Sequence, residues 1–108
     1  MVRSMARIIA QFTLIPIGTG STSLAKYVAE AIRGLKEGGI NYQLTPMSTI
    51  IEGETLDEIF EAIKKAHEAL IKTGVKRISI LINIDDRLDK PNRKPEDKVE
   101  SVKKKLES

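Results

Sequence analysis

Cysteine and tryptophan are absent from this 108-residue chain, histidine occurs once, and Phe12, Tyr27, Tyr42 and Phe60 are its only aromatic residues. Without cysteine there is no thiolate nucleophile, no disulfide and no Cys-rich zinc site, and His67 alone cannot build a histidine metal site. No apolar run approaches the ~20 residues that a membrane helix needs. The N-terminal Met1-Val2-Arg3-Ser4-Met5 leads into an apolar stretch broken by Gln11 and Thr13. That pattern reads as a strand rather than a signal peptide, so a cytoplasmic location is expected. A pI near 9.2 invites a nucleic-acid reading, yet residues 1–86 hold ten basic and ten acidic side chains. The net charge of +3 therefore comes entirely from residues 87–108. A neutral body with few aromatic residues has neither the charged face nor the stacking platform for nucleic acid.

What remains is a single domain's worth of chain, 41% of it apolar. From Arg7 to Ile17 apolar residues alternate with period two, Ile8, Ala10, Phe12 and Leu14 on one face and Ile9, Gln11, Thr13 and Ile15 on the other, which predicts a strand. Pro16 and Gly18-Thr19-Gly20 end it. Leu24, Val28, Ala31, Ile32 and Leu35 predict a helix over about 23–37, stopped by Gly38-Gly39. Asn41–Thr45 and Met47–Glu52 read as two short strands around Pro46. Thr55 followed three places on by Glu58 is a capping box, opening a helix over 56–73 with Ile59, Phe60, Ile63, Ala66 and Leu70 inward. Val75–Asp85 reads as a last strand, and 87–94 as a charged linker. Pro95, with Glu96 and Asp97 in the first turn, starts a short helix over 95–107 whose thin apolar stripe is Val99, Val102 and Leu106.

The order β-α-β-β-α-β with right-handed crossovers predicts an α+β, ferredoxin-like sandwich. It has a four-stranded antiparallel sheet, two helices on one face and an added C-terminal helix, all in one domain spanning 1–108. Its other sheet face would expose Ile9, Ile15, Leu81 and either Ile50 or Ile51 beside Gln11, Thr13 and Asn83. So apolar a patch predicts face-to-face packing of subunits into a homodimer or homotetramer, with the edge strands as a second contact. Fifteen isoleucines, the charge load and the lack of cysteine point toward a thermophile.

Three polar groups stand out. Gly18-Thr19-Gly20-Ser21-Thr22-Ser23 presents backbone N–H groups and hydroxyls ahead of a helix, suited to an anion or a polar heterocycle, or simply to capping. It lacks the Gly-Lys-Ser/Thr ending of a nucleotide-phosphate loop. Ser48, Thr49 and Glu52 lie on or near strand positions, Glu52 either accepting from a ligand amine or standing solvated ahead of the second helix. Asn83, Asp85, Asp86 and Arg87 end the last strand and read better as an intersubunit ion pair or a strand terminus than as a metal or acid–base site. No nucleophile, base and orienting group can be assembled, so catalysis is not expected.

Phe12–Ser23, Tyr42–Gly53 and Ile82–Arg87 together resemble the small thiamine-binding protein family, long catalogued as uncharacterised and found from archaea to yeast. The resemblance implies a ferredoxin-like subunit that assembles into dimers and tetramers. It also implies non-catalytic binding of thiamine or its hydroxymethylpyrimidine moiety, with no cofactor and no metal. The candidate ligand residues are then Thr19, Gly20, Ser21, Thr22, Tyr42, Ser48, Thr49 and Glu52. Glu52 would take the pyrimidine amine, Ser48, Thr49 or the 19–22 loop would donate, and Tyr42, Phe12 or Met47 would lie against the ring. The alternative is a structural or regulatory homo-oligomer whose site holds an anion or has degenerated. An acylphosphatase-like enzyme would need an arginine within 16–23, and an RNA binder would need aromatics where Gln11 and Thr13 stand. Neither pattern is present.

Overall fold

The computed structural model describes residues 7–89 and 94–107. Met1–Met5 and part of the expected linker lie outside them. The element order is β1 (Ile8–Pro16), α1 (Ala25–Glu37), β2 (Asn41–Leu44), β3 (Thr49–Gly53), α2 (Leu56–Ile71), β4 (Ile78–Asp86) and α3 (Pro95–Glu107). The four strands form one antiparallel sheet in the order β2-β3-β1-β4, with α1 and α2 packed together on one face. This is the ferredoxin-like arrangement expected from the element order.

Alternation decides which side of the sheet is dry. Ile8, Ala10, Phe12 and Leu14 of β1 join Ile51 of β3 beneath Ala31, Ile32 and Leu35 of α1 and Ile59, Ile63, Ala66 and Leu70 of α2. Ile51 is therefore core, and Ile50, paired with Gln11, belongs to the open face. Thr55 caps α2 through the full capping box, its hydroxyl accepting from Glu58 N–H while the Glu58 carboxylate accepts from Thr55 N–H. The two helices cross closely at Gly34, where a Cβ would stand 2.5 Å from the carbonyl oxygen of Lys65.

Several elements differ from the sequence expectation. α1 starts at Ala25 with Leu24 at its N-cap and no side-chain cap. The hydroxyls upstream are used inside the loop instead, Thr19 accepting from Ser21 N–H and Ser21 from Ser23 N–H. Phe60 is not inward but half exposed. On a helix it lies about 100° round from Ile59, on the flank turned away from the Lys65 and Ala69 positions that meet α1. β4 is covered only in part, since α2 packs on β3 and β1, so Ile80 and Ile82 are each 41% exposed although they share the helix-side face. α3 has no buried residue.

Candidate functional site

β1 pairs along all nine of its residues with β4 but only from Ile8 to Phe12 with β3. Beyond Phe12 the sheet is therefore open on one side of β1. Ile17 N–H donates to the Arg77 carbonyl and Arg87 N–H to the Arg7 carbonyl, so the odd-numbered residues of β1 direct their main-chain groups toward β4. Strand alternation then turns the N–H and C=O of Leu14 into the gap where β3 has ended. A cavity of about 320 Å³ occupies this place, walled by Phe12 and Leu14, by the N-cap Leu24 and by Val28 and Ile32 of α1, and by the β2–β3 turn.

The turn is held by its own hydroxyls. Thr45 Oγ1 donates to the Ser48 carbonyl at 2.7 Å and accepts from Ser48 N–H at 3.0 Å, while Ser48 Oγ donates to Gln11 Oε1 at 3.0 Å. Met47 stands at the tip, 85% exposed beside the cavity. Thr49 is 7% exposed, lines the cavity, and its hydroxyl makes no hydrogen bond among the described residues. Thr13, also at the cavity, has a buried hydroxyl with no partner among the described residues. None of the lining residues is titratable.

The structure thus brings Ser48 and Thr49 together at this cavity and places the other expected ligand residues elsewhere. Glu52 lies opposite Ile9, at the far end of β1 from the Gly18–Thr22 loop. Seven residues of strand separate the two ends, about 23 Å, so one small ligand cannot touch both in one chain. Nor is Glu52 a solvated carboxylate. It is 8% exposed and accepts from Asn41 Nδ2 at 3.0 Å, beside a smaller hollow of about 180 Å³ that Pro95 and Glu96 of α3 help to line. Tyr42 packs against the core from β2. In the glycine loop, Gly18 and Gly20 adopt φ of +82° and +78°, and Gly20, Ser21 and Thr22 are exposed. The polar end of β4, expected to pair between subunits, forms ion pairs within the chain instead. Asp85 meets Lys98, Asp86 accepts from Arg7 Nε at 2.8 Å, and Arg87 meets Asp89, which raises the Arg87 pKa.

The sequence reading missed the part played by Leu14 and the α1 wall. Each looks like an ordinary core position, and the available signal was only that the second and third strands are too short to accompany the first along its length.

Known proteins share this fold. A family model described as thiamine-binding protein matches residues 10–103. A UPF0045 protein of Methanothermobacter thermautotrophicus is 48% identical over 99 residues, covering 92% of this chain and 99% of that one. The UPF0045 protein YqgV of Bacillus subtilis is 48% identical over 103 residues, covering 92% and 97%. Among solved structures, a hypothetical protein from Methanocaldococcus jannaschii superposes with a TM-score of 0.76 at 36% identity, covering 88% and 94% of the two chains. A putative thiamine biosynthesis/salvage protein from Thermotoga maritima shares the fold at a TM-score of 0.71 and 23% identity, over 88% and 97%.

Proposed function

The chain belongs to the thiamine-binding protein family, and from that premise we propose that it binds a thiamine-type heterocycle, thiamine or hydroxymethylpyrimidine, without transforming it. The observation that carries this reading is the bare main-chain edge of Leu14 inside an apolar cavity. An aminopyrimidine presents a ring-nitrogen acceptor next to an exocyclic N–H donor. A strand residue offers the complementary N–H and C=O side by side, as it would to a neighbouring strand. Phe12, Leu14 and Ile32 supply apolar surface for the flat ring, the unspent hydroxyl of Thr49 offers a further contact, and the flexible thioether of Met47 can fold over the mouth. A volume of about 320 Å³ falls at the small end of the range for ligand pockets, which suits a single heterocycle.

The open sheet face completes the reading. Ile9, Ile15, Ile50 and Leu81 lie there among Gln11, Thr13 and Asn83, and we assign it to contact between copies in a homodimer or homotetramer. The relative from Thermotoga maritima is named for thiamine biosynthesis or salvage, a role consistent with a carrier or sensor. Calorimetric titration of the ligand-free protein with thiamine and with hydroxymethylpyrimidine tests the assignment. Saturable micromolar binding of both, lost on filling the cavity by Ala31→Leu, supports it. No heat with either ligand would refute it and favour a structural or regulatory oligomer.

A further inference from the structure

We propose that the cavity at Leu14 also binds a second class of ligand, a 4-aminopyrimidine carrying an oxygen at C2, with cytosine as its simplest member. That rests on the cavity assigned above, though not on thiamine or hydroxymethylpyrimidine as its occupant.

Among the described residues, four that bear hydroxyls line the cavity: Thr13, Thr45, Ser48 and Thr49. Two of these hydroxyls are spent on the β2–β3 turn, Thr45 Oγ1 donating to the Ser48 carbonyl and Ser48 Oγ to Gln11 Oε1. The other two are unspent. Thr49 makes no side-chain hydrogen bond among the described residues, and Thr13 Oγ1 is buried without a partner among them. A hydroxyl that loses water and gains no partner is destabilising. β3 ends opposite Phe12, so the strand that would have stood beside Thr13 has already turned away. Thr13 lies on the open face of the sheet and Thr49, opposite Phe12, on the helix side, at the same end of the gap.

Strand direction decides how a flat ring meets these groups. Read from N- to C-terminus, a strand residue offers its N–H first and its C=O second. A 4-aminopyrimidine held through N3 and its amine therefore turns N3, the acceptor, toward Thr13 and the amine, the donor, toward Ile15. C2 and N1 follow N3 round the ring, so they lie at the end of the gap where Thr13 and Thr49 stand. The Thr49 hydroxyl can meet N1 whether or not that atom carries a proton, since a hydroxyl both donates and accepts. C2 is different. In thiamine and hydroxymethylpyrimidine it bears a methyl group, which leaves the Thr13 hydroxyl unanswered. An oxygen at C2 accepts from Thr13 instead. Cytosine thus answers both main-chain groups of Leu14 and both unspent threonine hydroxyls.

Calorimetric titration of the ligand-free protein with cytosine, 4-aminopyrimidine and hydroxymethylpyrimidine tests this. Cytosine should bind saturably, and at least tenfold more tightly than 4-aminopyrimidine, which lacks the C2 oxygen. Thr13→Val keeps the shape of the side chain. It should abolish that preference while leaving 4-aminopyrimidine and hydroxymethylpyrimidine binding unchanged. Thr49→Val should weaken all three, and Ala31→Leu should remove cytosine binding by filling the cavity. Bound hydroxymethylpyrimidine should be displaced by cytosine. Equal binding of cytosine and 4-aminopyrimidine, or a cytosine preference that survives Thr13→Val, would overturn the proposal. Hydroxymethylpyrimidine binding without cytosine binding would also overturn it and leave the thiamine-type reading standing. Binding of cytosine alone would support it and remove that reading.

Discussion

Replacing Gly34 by alanine probes the closest contact in the helix layer. The new methyl would meet the Lys65 carbonyl oxygen at 2.5 Å and the Ala69 Cβ at 3.0 Å. Relief requires α1 and α2 to part by roughly 1 Å, because the obstacle is main chain and cannot rotate away. Overpacking of this kind costs about 1–3 kcal/mol, and the rigid obstacle places Gly34→Ala at the upper end. Alanine recovers about 1 kcal/mol as the better helix former, leaving a net loss of about 2 kcal/mol. With a urea slope of about 1 kcal/mol per molar, the unfolding midpoint should fall by about 2 M. The measurement is urea denaturation followed by circular dichroism at one fixed protein concentration, since association contributes to apparent stability. Gly38→Ala is the control. There the nearest atom is the mobile Lys65 Cδ at 3.1 Å, and φ is −81°, so the midpoint should hardly move. A Gly34→Ala midpoint equal to or above that of the unaltered protein would refute the close-crossing argument.

Thr55→Ala removes half of the capping box and should cost about 1 kcal/mol in the same assay. Thr13→Val replaces a buried, unpartnered hydroxyl by a methyl of the same shape and should raise the ligand-free protein's stability by about 1 kcal/mol, read by thermal denaturation. Lys98→Ala breaks an exposed ion pair and should change stability by less than about 1 kcal/mol. Thr49→Val should weaken hydroxymethylpyrimidine binding several-fold in calorimetry while leaving the unfolding midpoint within about 0.5 kcal/mol, since the residue lines the cavity without an internal hydrogen bond.

The fold was legible because its signals are local. Period-two alternation in β1, the Thr55–Glu58 box and the glycines beyond α1 and α2, Gly39 and Gly74 at φ of +71° and +92°, mark the elements without reference to distant residues. What escaped depends on partners. Ser21 and Ser23 look like helix caps, yet Ser21 spends its hydroxyl on the loop, and α1 begins without one. Phe60 belongs to an apolar helix face in sequence, but whether that flank is covered depends on where α2 sits over the sheet. Glu52 reads equally well as a ligand acceptor or as a solvated carboxylate until Asn41 of the adjoining strand is seen donating to it. The cavity at Leu14 was the least visible, because it comes from a mismatch in strand lengths.

That mismatch gives the amide protons of one strand two different clocks. Thr13 and Ile15 face β4 and should exchange with solvent deuterium only when the sheet opens, whereas Leu14, between them, should exchange at the pace of a loop. A heterocycle seated against Leu14 would slow that single position and leave its neighbours as they were. Residue-resolved exchange thus follows occupancy at one backbone atom, and the end of β1 acts as its own reporter.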